Sequence, residues 1–264
     1  MPLRSVYAKT VYDRRHGLLW WSIGIGLLTV TVLSVWPSVR DEYSKLVQNY
    51  PKALLAFFGI EKGGLGSAAG YLQAELFGLM LPLVLIAYMI AAGSAATAGE
   101  REAGTLEFLL SQPVSRRRAL LEKCMGLCTS LLVVTASFTV ALVVSTRVFA
   151  VHVAAPHLLA ATASAYLLAA LFGAIALLVG CITAHRALAA GIAAAAAVAA
   201  YLLSSLAALV AGLKPFRPMS PFWWYSGHDP LRQGLEPLHI MLLVSTTLLC
   251  IAAAVAVFDR RDLT

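Results

Sequence analysis

Six apolar runs separated by short polar connections dominate the order of residues: 17–37, 71–98, 119–146, 156–183, 188–213 and 238–258. A bilayer core of about 30 Å, at 1.5 Å rise per residue, takes roughly 20 apolar residues per helix. Each run meets that requirement. The pattern therefore predicts an all-α membrane protein with six transmembrane helices, forming a single transmembrane domain over residues 1–264. The first run is too long for a signal-peptide core and no small-residue cleavage site follows it, so it is expected to remain as a span. Ahead of it, Leu3, Val6, Tyr7 and Val11 recur at helical spacing among Arg4, Lys9, Arg14 and Arg15, which predicts an amphipathic interfacial helix over residues 1–16.

The connections carry their own signals. Residues 38–70 form a polar loop in which 53–60 are apolar but too few to cross, an interfacial or re-entrant piece. Pro82 near the middle of the second run predicts a kink. The fifth run is rich in alanine around Gly191, which suits close approach to a neighbouring helix or a second protomer. Residues 214–237 hold five prolines and cannot form one helix, so a broken, re-entrant segment is expected before the last span. Within it, Phe222, Trp223, Trp224 and Tyr225 suit either the headgroup level or an outer gate.

Six spans place both termini on one side of the membrane. With the N-terminus cytoplasmic, 12 of the 20 Lys and Arg residues fall on the cytoplasmic side and 8 on the outside, although the outer loops are longer. The positive-inside rule thus favours cytoplasmic N- and C-termini.

Composition narrows the function. With 60% hydrophobic and 12% charged residues, the chain is not an ordinary water-soluble globule, whose charged fraction averages about 25%. The residues outside the spans cannot build a nucleotide-hydrolysing domain, which needs on the order of 150 residues. The net charge of +7 comes from small clusters between apolar runs rather than one basic face, which argues against nucleic acid. There is no Gly-Lys dipeptide and hence no P-loop, and neither His-Glu-x-x-His nor Gly-x-Ser-x-Gly occurs. Cys124, Cys128, Cys181 and Cys250 lie in apolar runs as small thiols, His152 and His157 in a short outer loop. Glu75 lies inside the second run, within a turn or so of its outer end, where snorkelling accounts for it.

The most informative stretch lies between the second and third runs: Glu100-Arg101-Glu102-Ala103-Gly104-Thr105-Leu106-Glu107-Phe108-Leu109-Leu110-Ser111-Gln112-Pro113-Val114-Ser115-Arg116. Thr105 suits an N-cap, Glu107 complements the dipole of a first turn, and Pro113 stops the helix after about two turns. Leu106, Leu109 and Leu110, at i, i+3 and i+4, give it one apolar ridge in a charged cytoplasmic loop. Such a ridge requires a membrane surface or a protein groove. Arg116, Arg117 and Arg118 after it are also consistent with a simple positive-inside anchor.

This stretch resembles the coupling-helix signature of ABC type-2 permeases, the membrane subunits of ATP-binding-cassette transporters, in which Glu-x-Glu-x-Gly-Thr-Leu-Glu precedes Leu-Leu-Ser-x-Pro-Val-Ser-Arg. The match is nearly continuous from Glu100 to Arg116, and weaker resemblance covers the whole chain. It is similar to half-size members such as antibiotic-resistance and sodium-export permeases and the membrane subunit of the nitrous oxide reductase maturation system. The resemblance implies a bacterial or archaeal plasma-membrane subunit that pairs with a second permease copy, a homodimer rather than a heterodimer, and with two separate ABC ATPase subunits. It implies no cofactor in this chain, with ATP and Mg bound by those ATPases. Glu100, Glu102, Gly104, Thr105, Leu106, Glu107, Leu109, Leu110, Pro113 and Arg116 would form the ATPase docking site, the two leading carboxylates meeting basic groups there or at Arg116, Arg117 and Arg118.

On this reading the chain has no enzymatic activity of its own and serves export of a lipophilic drug, antibiotic or peptide. The alternative is an ATPase-driven scaffold that transmits force to an extracytoplasmic partner without bulk transport. An intramembrane enzyme is disfavoured, since the spans show no paired nucleophile and base.

Overall fold

The computed structural model describes residues 5–48, 67–104 and 115–260, with the backbone alone over 41–48. The apolar segment 53–60, and Thr105, Leu106, Glu107, Leu109, Leu110 and Pro113 of the docking motif, lie outside the described residues. Helix α1 (Val6–Asp13) begins where Ser5 Oγ accepts the Ala8 N–H at 3.1 Å. Then follow α2 (Arg15–Gln48), α3 (Ala68–Glu102), α4 (Arg116–Val148), α5 (Ala155–Thr183) and α6 (Arg186–Ala207). A 3-10 segment (Ala211–Met219) and two short helices, α7 (Pro221–Ser226) and α8 (Pro230–Gln233), lead into α9 (Pro237–Arg260). Six of these helices are long and apolar enough to cross a membrane.

Helix α5 is the centre of the bundle, packing against α3, α4, α6 and α9. It is buried over most of its length, as is α3, whereas α2, α6 and α9 keep most of their apolar surface outward. Small residues set the α3–α5 distance: a Cβ on Gly93 would collide with the Gly173 carbonyl oxygen. The core is closed by Leu81, Leu85, Leu131, Phe138, Leu168 and Phe172, none more than 1% exposed. Four buried hydroxyls are satisfied within their own helices, with Thr29, Ser130, Thr135 and Thr162 each donating to the carbonyl four residues back.

The alanine-rich face of α6 divides in two. Ala189, Ala193 and Ala197 are buried at a four-residue interval, while Leu188, Ile192 and Val198 remain exposed. Part of the small-residue stripe is therefore used within the chain, where α6 lies against α5.

Three expected boundaries differ. Helix α2 continues through Pro37 to Gln48 instead of ending near 37. The Tyr71 hydroxyl donates to the Val32 carbonyl at 2.6 Å, beside the turn that Pro37 interrupts. The fifth span ends at Ala207 rather than 213, after which Pro215 and Pro218 suit the 3-10 segment. In α3 the break lies upstream of Pro82: a π-turn covers Gln73–Phe77 and the helix restarts at Met80. Proline clashes with the carbonyl four residues before it, here Gly78, so the interruption falls where that clash would arise.

Candidate functional site at the basic end of the bundle

The start of α1, the end of α3, the start of α4 and the α5–α6 turn converge at the end of the bundle that carries most of the basic residues. Their positions follow from hydrogen-bonding needs. Near its end helix α3 passes through a second π-turn, Ala95–Gly99, in which N–H groups reach five residues back. A carbonyl within that turn and one just before it take side-chain donors from elsewhere in the fold. Arg14 Nη2 donates to the Ala92 carbonyl at 2.8 Å, and Lys123 Nζ donates to the Ala96 carbonyl at 2.8 Å.

Lys123 also meets Glu100 Oε2 at 2.6 Å, its own side chain almost wholly buried and that of Glu100 about two-thirds so. Glu102 Oε1 accepts the Arg186 backbone N–H at 2.9 Å and lies 3.7 Å from His185 Nδ1. His185, the N-cap of α6, makes no capping bond with its own side chain, so a carboxylate from α3 completes that helix start. The two carboxylates that open the docking motif thus tie α3 to α4 and to α6.

Beyond Glu102 the chain turns at Gly104, whose φ of +68° lies in the left-handed region that glycine tolerates. On the far side of the motif, Ser115 Oγ accepts the Arg118 N–H at 3.4 Å, and Arg116 is the first residue of α4. Arg117 donates to Asp259 Oδ2 from Nη2 at 2.7 Å and Nε at 3.0 Å, tying α4 to the end of α9. Arg118 pairs with Glu122 at 2.8 Å, and Glu122 Oε2 accepts the Tyr7 N–H at 3.2 Å, capping α1 from α4. Burial holds the Arg14 guanidinium below its ordinary pKa, a tendency opposed by nearby Tyr88 and Glu100.

A family model described as ABC-2 family transporter protein matches residues 4–263. The chain belongs to the ABC-2 family. It is a multi-pass ABC-2 permease domain, and membership implies association with ABC ATPase subunits. No curated protein matches it in sequence.

Of the residues that the motif of this ABC-2 permease nominated, Glu100, Glu102, Gly104 and Arg116 lie together at the basic end. Arg14, Lys123 and Arg186 join them without having been singled out. For Lys123 a signal existed: it is a lone cation seven positions into an apolar helix after the arginine cluster.

At the opposite end the four consecutive aromatics separate. Phe222 and Tyr225, three apart, turn inward and are buried. Phe222 packs on Phe172 and Tyr201, and the Tyr225 hydroxyl donates to the Phe77 carbonyl at 2.7 Å, at the break in α3. Burial pushes that hydroxyl's pKa up. Trp223 and Trp224 are half-buried, the first edge-on to His239 at 4.6 Å and the second donating from Nε1 to the Pro218 carbonyl.

Proposed function

We propose that the chain is the membrane subunit of an ABC exporter in a bacterial or archaeal plasma membrane, with its basic end and both termini in the cytoplasm. It works as a homodimer with two separate ATPase subunits that bind ATP and Mg. The cargo is a lipophilic drug, antibiotic or peptide, in keeping with the scarcity of charge within the spans.

The observation that supports coupling most is the anchoring of both ends of the docking loop. Glu100 holds one end to α4 and Glu102 holds it to α6, while Arg117 fixes the other end to α9. A force applied to the Leu106, Leu109 and Leu110 ridge would therefore reach four spans directly. ATP binding draws the ATPases together, and the permease conformation that fits the closed ATPase pair is favoured by its higher affinity for it.

The test is ATP-dependent movement of candidate lipophilic compounds in vesicles holding the permease with its cognate ATPase. Accumulation that requires both subunits and ATP is expected. ATP hydrolysis stimulated by the permease, with no cargo moved across a broad panel, would overturn the exporter reading in favour of force transmission to an external partner.

A further inference from the structure

Two cavities adjoin at Trp21 on the flank where α1 meets α2 and α3. The first, of about 420 Å³, is lined by Lys9, Arg14, Tyr88, Lys123 and Arg186, with Asp13 and Glu100 as its acidic members. The second, of about 360 Å³, is lined almost wholly by apolar groups, those of Trp20, Trp21, Gly24, Ile25, Leu28 and Val84. Leu28 lies seven residues beyond Trp21 on α2, about 10 Å farther from the basic end. On α3, Val84 lies in the same direction from Tyr88. The pair forms one slot, charged at the level of α1 and apolar towards the membrane centre.

The charged part is suited to an anion. Glu100 is already engaged by Lys123, so Asp13 stands against Lys9, Arg14 and Arg186. Arg14 bonds a neutral carbonyl, that of Ala92. The Tyr88 hydroxyl, on a side chain 5% exposed, lies beside Arg14 and Ser130 at the cavity wall. A hydroxyl beside a guanidinium at the wall of a basic cavity gives a ligand oxygen a further donor. Trp21 stands edge-on to Tyr88, ring centroids 5.5 Å apart, where the polar and apolar parts meet.

We propose that this slot binds an anionic glycerophospholipid, its phosphate against Lys9, Arg14 and the Tyr88 hydroxyl and one acyl chain along Trp20, Gly24, Ile25 and Leu28. Basic pockets between helices at the interface recognise such headgroups through charge-assisted hydrogen bonds. The continuous apolar groove favours a lipid over a free phosphate, as does the outward-facing Trp20, which is 74% exposed.

The test is native mass spectrometry of the full-length chain in neutral detergent, titrated separately with dioleoyl phosphatidylglycerol, dioleoyl phosphatidylcholine and inorganic phosphate. Phosphatidylglycerol should bind about tenfold more tightly than phosphatidylcholine, the size of one charge-assisted contact. Lys9→Gln and Tyr88→Phe should each weaken phosphatidylglycerol about three- to tenfold and weaken phosphatidylcholine less, Lys9→Gln narrowing the preference between the two lipids. Gly24→Leu, introduced where a Cβ meets no atom within 4 Å, should weaken phosphatidylglycerol by filling the groove. Equal affinity for the two lipids overturns the proposal, as does indifference to Lys9→Gln. Inorganic phosphate that competes at similar affinity, with Gly24→Leu without effect, assigns the cavity to a free anion and also overturns it.

Discussion

Lys123 and Glu100 form an ion pair at 2.6 Å that closes the end of α3 against α4, and the same ammonium satisfies the Ala96 carbonyl within a π-turn. Removing one partner of a buried pair strands the other. Lys123 is the more buried of the two, so Glu100→Ala should cost more than Lys123→Met, about 3 kcal/mol against about 2. The double variant should cost less than the sum. Thermal unfolding of the purified full-length chain checks the order and the non-additivity.

Glu102 supplies from α3 the acceptor that the start of α6 lacks. Glu102→Ala should cost about 1 kcal/mol, and Glu102→Gln, which keeps an acceptor, about half that. Hydrogen–deuterium exchange should rise at the amides of Arg186 and the next two residues in the alanine variant and change little elsewhere.

The Tyr225 hydroxyl satisfies a carbonyl at the interruption in α3. Tyr225→Phe retains the ring and leaves the Phe77 carbonyl buried without that donor, at a cost of about 1 to 2 kcal/mol. Loss of thermal stability, with faster exchange of the amides just after Leu79, is the expected pair of readouts.

Two glycines in neighbouring helices should respond oppositely. Gly93→Ala places a methyl group against the Gly173 carbonyl and should cost about 1 to 3 kcal/mol by forcing α3 from α5. Gly191→Ala meets no atom within 4 Å and should stabilise α6 by up to about 1 kcal/mol through helix propensity. Unfolding temperatures of the two variants beside the unmodified chain decide this.

The spans were legible because apolar length is a sufficient signal in a bilayer, and α5 matches its expected bounds of 156–183 to within a residue. Boundaries at Pro37 and Pro82 were less legible, since whether a proline ends a helix, bends it or is absorbed depends on packing that the sequence does not display. The run of residues from Glu100 to Arg116 could be read locally. The partners of its carboxylates could not: Lys123 and Arg186 lie 23 and 84 residues away and meet Glu100 and Glu102 only through the packing of α4 and α6. The inward turn of Phe222 and Tyr225 had a signal in their three-residue spacing, which the run of four aromatics concealed.

The central claim is that the loop between α3 and α4 seats the ATPase. The most direct measurement is co-purification of the cognate ATPase with full-length permease carrying Leu109→Asp, with monodispersity and unfolding temperature confirming the fold. An intact permease that no longer retains the ATPase or stimulates its activity is the expected result. Undiminished ATPase binding together with undiminished stimulation would contradict it.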